Sequence, residues 1–380
     1  MTRPLDGIKV IELARILAGP WAGQVLADLG AEVVKVESPE GDDTRRWGPP
    51  FVENPDGTWD AAYFHATNRG KRSVVADFAT KEGRAKVFDL IRDADVLIEN
   101  FKLGGLAKFG LDYESLREVN PRLIYCSITG FGQDGPYAAR AGYDFIVQGM
   151  SGIMDLTGDP AGPPQKIGVA YADILTGLYA VIAIQAALRQ REATGRGQLI
   201  DMALFDVMTG TLANQAMNYL VSGKNPKRLG NAHPNIAPYE AFPVADGWII
   251  VAVGNDAQFL RLCEVIDIPH EEKWSTNAGR VRDRVALSQA ISAQTGDWEK
   301  AALLAALEEQ GIPAGPINTV AEALADPQIV ARGMVLDLGE GLKGLRTPIR
   351  FSDAELALGK KSPKLGENPP RAGEESGDSE

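Results

Sequence analysis

Apolar and polar positions in the first half of the chain alternate between two periods. G-I-K-V-I-E-L-A at 7–14 and E-V-V-K-V-E at 32–37 are short runs rich in branched residues, as strands are. Between them, P-W-A-G-Q-V-L-A-D-L at 20–29 has helical spacing, proline in its first turn and Gly30 at its end. Strand, helix and strand in so short a stretch predict a right-handed βαβ unit of a parallel sheet. The alternation continues through an amphipathic helix at 82–92 and strands at 94–101, 121–131 and 199–202. From Ile174 to Leu188 the apolar residues Ile174, Leu178, Val181, Ile182 and Leu188 recur so densely that the helix must be covered on most sides. The fold class is α/β.

After residue 226 the texture changes. A loop leads into a hairpin-like F-P-V-A-D-G-W-I-I-V-A-V with Asp246-Gly247 as its turn, then into helices rich in Ala, Arg and Glu. The expected organisation is a large Rossmann-like domain over 1–205, completed by 325–358, and a smaller α+β domain over 226–313. Residues 313–319 and 347–351 read as a return to the first domain. The Pro, Gly, Ser and charge of 359–380 predict a disordered tail.

With 380 residues, 44% hydrophobic and 24% charged, two domains of an ordinary globular protein are expected. The net charge of -12 argues against a nucleic-acid partner, although a few converging cations still suffice for a small anion. No apolar run reaches the ~20 residues of a membrane span, and the N-terminus lacks a signal peptide's apolar region. The expected location is the cytoplasm, with no membrane partner. Cys126 and Cys263 read as buried hydrophobes, and His65, His233 and His270 show no metal-ligand pairing, so no metal site is expected.

In a parallel sheet, ligands gather beyond the carboxyl ends of the strands. Arg15, Asn100, Phe101 and the T-G-F-G-Q-D-G loop at 129–135 fall there. The first loop, R-I-L-A-G-P, lacks the G-x-G-x-x-G fingerprint, so a nicotinamide dinucleotide is not the expected ligand. The cations Arg69, Lys71 and Arg72 form a cluster that is either a solvated turn or a phosphate contact. Asp173 opens the long apolar helix. It is read either as an N-cap, accepting amide hydrogen bonds, or as a carboxylate kept ionised by the helix dipole and able to act as a nucleophile.

Several segments in order, among them P-L-D-G-I-K-V-I-E-L-A, G-A-E-V-V-K-V-E-S-P, N-R-G-K-R-S, P-R-L-I-Y-C-S-I-T-G-F-G-Q-D-G-P-Y, R-A-G-Y-D, H-P-N-I-A-P-Y-E-A-F, V-G-N-D-A-Q-F and G-I-P-A-G-P-I-N-T-V, resemble the class III coenzyme A transferases. That family includes formyl-CoA and succinyl-CoA transferases and α-methylacyl-CoA racemases. The resemblance implies that Asp173 is a covalent nucleophile and that CoA passes from an acyl-CoA to a small carboxylic acid through aspartyl anhydride and aspartyl-CoA thioester intermediates. It implies oxyanion donors at Gly254 and Asn255, and CoA contacts at Arg15, Ile16, Ala18, Asn100, Phe101, Lys102 and Lys108, with Lys71 and Arg72 suited to phosphates. Phe101 is open to a second reading as core packing. The CoA thioester would be a substrate and no prosthetic group is expected. The family fold also implies an interlocked homodimer.

Two departures narrow this. The racemase branch carries a histidine where this chain has Tyr143, and a phenol near pKa ~10 is a poor base at neutrality. Transfer is therefore expected over racemisation or isomerisation, with a non-catalytic CoA-binding relative as a further alternative. The formyl-CoA:oxalate enzymes carry glutamine where this chain has Leu17, and basic CoA contacts where it has Ser38 and Ala79, so a larger acid than oxalate is expected. Tyr63 and Tyr143 stand as hydrogen-bond donors to the acceptor acid or as core aromatics.

Overall fold

A computed structural model describes residues 2–367, which fall into two units, 2–153 with 166–217 and 327–367, and 154–165 with 218–326. In the first, six strands pair in parallel: β1 (Lys9–Glu12), β2 (Glu32–Glu37), β3 (Arg72–Val75), β4 (Val96–Glu99), β5 (Ile124–Thr129) and β6 (Leu199–Ala203). Their order is β3-β2-β1-β4-β5-β6, the doubly wound order of a dinucleotide-binding sheet, with the chain reversing direction between β1 and β4. The strands predicted at 32–37 and 199–202 match closely, β1, β4 and β5 are the interiors of the predicted runs, and β3 begins within the N-R-G-K-R-S segment.

Because successive side chains alternate across a strand, two cores form. Val10, Val33, Val96, Ile98, Ile124 and Cys126 face helices α1 (Ala18–Asp28) and, further along the chain, α4 (Tyr171–Thr194). Ile11, Val34, Leu97 and Tyr125 point the other way, towards α2 (Lys81–Arg92). Two further helices, α3 (Asp144–Met150) and α5 (Leu204–Gly210), pack on α4.

The chain's longest helix, α4, is apolar on nearly every side, long and apolar enough by composition to cross a membrane. One face is buried against α1 and the sheet, while Leu178, Tyr179 and Ile182 stand exposed. Its contact with α1 is close: a Cβ on Gly177 would lie 2.7 Å from the Ala18 carbonyl oxygen and 3.1 Å from the Trp21 ring.

Arg69 and Lys71, two of the three clustered cations, are neither a solvated turn nor a phosphate contact. Arg69 is buried on Asp28 through two bonds of 2.6 Å, and its guanidinium also donates to the Leu345 carbonyl. Lys71 is sealed under α1, donating to Glu12, the Pro20 carbonyl and Asn68, and burial pulls its ammonium down to about 8. Arg72 pairs with Glu32. A charge taken out of water must be paired, and Arg69 and Lys71 are spent on pairing inside the fold, whereas the Arg72–Glu32 pair is exposed. Lys71 is therefore withdrawn as a CoA contact, and Arg72 is already engaged.

The predicted tail is ordered where it is described. Residues 361–367 run beside β3, the sheet's edge strand: Gly70 donates to the Lys361 carbonyl, Ser73 to the Glu367 carbonyl and Arg45 to the Pro363 carbonyl. Covering an edge removes unpaired backbone groups. The rest of the predicted tail, 368–380, lies outside the described residues.

The second unit holds a three-stranded antiparallel sheet, β9-β8-β7, of β7 (Tyr239–Val244), β8 (Gly247–Ala252) and β9 (Ala314–Pro316). The hairpin forms, but its central residues are Ala245 and Asp246 rather than the expected Asp246-Gly247, because Gly247 already pairs with Val244. Helices α6 (Asp256–Ile266), α7 (Arg284–Thr295) and α8 (Lys300–Glu309) close a core around Phe242, Ile249, Phe259, Leu262 and Leu303. The segment expected to return to the first domain at 313–319 instead supplies β9, because 314–316 pair with Ile249–Val251. Residues 347–351 do belong to the first unit, where the Thr347 amide donates to Asp28.

The α1–α4 contact yields a test. Alanine at position 177 gains about 1 kcal/mol of helix propensity over glycine, but overpacking against a backbone carbonyl costs typically 1–3 kcal/mol. Gly177→Ala is expected to lose about 1 kcal/mol net, read as a lower urea midpoint at unchanged slope. A raised midpoint would contradict the close packing.

Candidate active site

The reversal between β1 and β4 leaves a crevice at the carboxyl ends of those strands. A cavity of about 400 Å³ opens there. Asn100, just past β4, clamps the first loop: its side-chain oxygen accepts from the Arg15 amide at 2.9 Å and its amide donates to the Arg15 carbonyl at 2.7 Å. Ile16, Leu17 and Ala18 then line the wall. Phe101 also lines it, with the Arg15 guanidinium 5.8 Å over its ring. The Arg15 side chain is about half exposed and bonded to Asp43 at 3.0 Å.

The opposite wall comes from the loop after β5. Gly130 and Gly142 touch backbone to backbone, since a Cβ on either would lie within 2.6 Å of the other's Cα. That contact folds the loop back so that Arg140, Tyr143 and Asp144 face the cavity. Arg140 lies 4.5 Å over the Tyr137 ring. Neither it nor Lys102, another lining cation, has an ion-pair partner among the described residues.

Asp173 lines the same cavity, but not as a helix cap. The N-cap of α4 is Ala170, which has no capping side chain, and Asp173 lies in the first turn. The carboxylate that accepts the helix amides is Asp144, from the first turn of α3: one of its oxygens takes the amides of Ala172 at 2.8 Å and Asp173 at 3.4 Å. Its other oxygen accepts from the buried Gln148 at 2.7 Å. A first-turn carboxylate gains from the helix dipole, yet here two effects oppose it. Burial, and then the neighbouring Asp144 charge, push the Asp173 carboxyl up to about 7. The expectation that the helix terminus keeps Asp173 comfortably ionised is thus overturned. Tyr63 feels the same field, its phenol raised by burial and then by the charges of Asp173, Asp144 and Asp42.

One cavity therefore brings together Arg15, Ile16, Ala18, Asn100, Phe101, Lys102, Tyr143 and Asp173. Lys108 does not line it and lies over Phe109 at 4.7 Å. Gly254 and Asn255 belong to the second unit, where Gly254 donates to the Gln258 side chain and Asn255 caps α6. Sequence reasoning missed Asp144 and Arg140, although the R-A-G-Y-D motif holds both. The signal for Asp144 was an acidic residue opening a helix beside the tyrosine already singled out. Among the described residues no cluster of His, Cys, Asp or Glu could hold a metal.

The family model "CoA-transferase family III" matches residues 5–369. The chain belongs to CoA-transferase family III. It is similar to the succinate–glutarate CoA-transferase of Agrobacterium fabrum, 62% identical over 96% of this chain and 94% of that one. It is also similar to the human succinyl-CoA:glutarate CoA-transferase, 41% identical over 96% of this chain and 84% of that one. Among solved structures, a CAIB/BAIF family protein from Brucella suis is 64% identical, covers 96% of this chain and 97% of its own, and superposes with a TM-score of 0.89.

In this CoA-transferase family member the raised Asp173 pKa has a thermodynamic signature. Folding lifts it from 3.8 to about 7, so between those values the folded state holds a proton that the unfolded state has released. Asp173 therefore weighs against stability increasingly as pH rises through that window, fully above it and not at all below it. Asp173→Asn is expected to be more stable than the parent at pH 8, by about 1–2 kcal/mol against a ceiling of about 4 set by the full shift. The gain should vanish near pH 4. Urea unfolding of both proteins across that range checks it, and a pH-independent difference would refute the raised pKa.

Proposed function

We propose that this chain moves CoA from an acyl-CoA donor of the succinyl type to a dicarboxylic acid such as glutarate, with Asp173 as the covalent carrier. The observation that carries the reading is the Asp173 carboxylate, lining a crevice-end cavity beside Lys102 and Arg140 with its pKa raised to about 7. The names borne by the bacterial and human relatives support the choice of acids. The buried Leu17 in the cavity wall, 6% exposed, suits an acid with an apolar spacer better than oxalate.

In this reading an Asp173 oxygen attacks the thioester carbon, the C–S bond breaks and CoA leaves as a thiolate, giving a mixed anhydride. The thiolate attacks the aspartyl carbonyl, expels the donor acid as its carboxylate and leaves an aspartyl-CoA thioester. The acceptor carboxylate attacks that thioester, its C–S bond breaks to release CoA as a thiolate again, and a second anhydride forms. Thiolate attack on the acceptor's acyl carbon then releases the new acyl-CoA and restores Asp173. Each step exchanges one activated acyl bond for another. Lys102 and Arg140 bind the cofactor's phosphates as point charge and fork. Asp144 holds the first turn of α4, and with it Asp173, in place.

The reading includes a second copy of the chain. On α4 the exposed Leu178, Tyr179 and Ile182, and on α3 the exposed Phe145, Ile146 and Met150, are apolar side chains that a partner would cover.

Two experiments test this. Protein incubated with succinyl-CoA and quenched with hydroxylamine is expected to carry a hydroxamate on the Asp173 peptide by mass spectrometry, and none in Asp173→Asn. Absence of label with succinyl-, glutaryl-, acetyl- and formyl-CoA would refute the covalent route. Because the attacking group must be ionised, kcat/KM for succinyl-CoA with glutarate should rise about tenfold per pH unit below about 7 and level off above it. Asp144→Asn, which removes a neighbouring charge, should move that break to lower pH.

A further inference from the structure

Ile16 adopts φ +72°, a left-handed conformation that a β-branched residue resists. Other non-glycine residues with positive φ among the described residues are Ala213, Asp267 and Glu340, and none of them lines the cavity. Such a turn persists only where its surroundings over-determine it. On one side the Arg15 peptide is held by Asn100. On the other, the Ile16 amide donates to both carboxylate oxygens of Asp42, at 3.2 and 3.4 Å.

Asp42 is almost fully buried, 1% exposed, and is itself anchored. It accepts from the Thr44 amide at 2.9 Å and hydroxyl at 2.7 Å, and pairs with the buried Lys35 ammonium at 2.9 Å. Lys35 also donates to Glu12 at 3.1 Å and to the Ala14 carbonyl at 2.8 Å. The Asp42 amide donates to Glu37. Burial alone would raise the Asp42 carboxyl, yet Lys35 and the Thr44 donors bring it down to about 2, so it is ionised at every working pH. A charged acceptor makes a shorter, stronger bond to an amide than a neutral one. Neither Asp42 nor Lys35 lines the cavity.

We infer that Asp42 is a positioning residue for coenzyme A: through the buried Glu12–Lys35–Asp42 chain it holds Ile16 in its left-handed turn, which sets Leu17 and Ala18 in the cavity wall. The inference rests on the reading of this cavity as the CoA site, and it does not depend on the aspartyl chemistry. Asp42 touches neither substrate nor reacting atoms. Its effect is on the shape of the loop presented to the cofactor.

The test is binding of coenzyme A itself, measured by titration calorimetry without turnover. Asp42→Asn, with a weaker neutral acceptor, is expected to bind CoA about tenfold more weakly while remaining folded by thermal melting, and to raise the succinyl-CoA KM more than it lowers kcat. Glycine adopts positive φ without resistance, and because Ile16→Gly also removes a side chain from the cavity wall, the CoA affinity of that single variant is measured as the reference. Adding Ile16→Gly to Asp42→Asn should restore binding to that level. Rescue separates this role from general packing, which a glycine in the loop would not repair. Unchanged CoA affinity in Asp42→Asn, or no rescue by Ile16→Gly, overturns the inference. Should Asp42→Asn not fold, Ile16→Pro, which fixes φ near −65° and removes the amide, must lose CoA binding with its melt unchanged, and retained binding overturns the inference equally. If no variant or parent binds CoA while hydroxylamine still labels Asp173, the cavity assignment fails and the aspartyl mechanism survives.

Discussion

The close seating of α4 on α1 is the contact on which the candidate site depends. The two helices begin in different parts of the chain, one after β1 and the other after a long excursion past β5. They meet where Gly177 leaves room for the Ala18 carbonyl and the Trp21 ring. Ala18 follows directly on the first loop, and Gly177 lies one turn beyond Asp173, so a close contact here carries loop and carboxylate to one cavity. Dense packing transmits displacement, and separating the helices by a methyl group would move both walls of the crevice at once.

A second constraint is electrostatic and sits below the first. Glu12, Lys35 and Asp42, with Lys71 on Glu12, form one set of buried pairs and Glu37, Arg45 and Asp60 a second, joined by the Asp42 amide's bond to Glu37 beneath the loops at the strand ends. Such pairs are poor sources of net stability, because desolvation offsets most of their attraction. They are directional, however, and each fixes a backbone group: Lys35 takes the Ala14 carbonyl, Asp42 the Ile16 amide, Lys71 the Pro20 carbonyl and Arg45 the Pro363 carbonyl. Three of those four backbone groups lie between residues 14 and 20. The charges shape the loop that follows β1.

This also explains what the sequence made legible and what it did not. Strand and helix periods are local, so the parallel sheet and the later hairpin could be read from residues such as Val33-Val34 and Ile249–Val251, whose pattern reports their faces directly. The carboxylate opening α4 could be read for the same reason. The fate of charged side chains depends on what the fold places around them. Arg69 and Lys71 look solvated in N-R-G-K-R-S, and only the approach of Asp28 and Glu12 from other elements buries them. Asp173 looks like a cap because it opens a helix, but Asp144, 29 positions away, reaches the free amides instead. The ends of the smaller unit were misplaced for a related reason: Ala314–Pro316 has no strand period of its own and becomes a strand only through its partner, Ile249–Val251.

The exchange of roles between the two aspartates carries a chemical consequence. An aspartate that capped its own helix would be stabilised as an anion by those amides, and its pKa would fall below the ordinary value. A less basic carboxylate is a weaker nucleophile, and its acyl derivatives are attacked and lost more readily. By giving the amides to Asp144, the fold leaves Asp173 in a drier place beside a like charge, which raises its basicity to about 7. On the proposed mechanism this is a balance set by pH. Higher basicity favours attack on the thioester, but a value much above neutrality would leave too little of the ionised form. Near 7, a substantial share of the molecules is ionised at physiological pH and those carboxylates are stronger nucleophiles than an unperturbed aspartate. The position of Asp144 therefore does two things with one side chain: its hydrogen bonds hold the first turn that carries Asp173, and its charge adds to burial in raising the Asp173 pKa, on which the proposed mechanism depends.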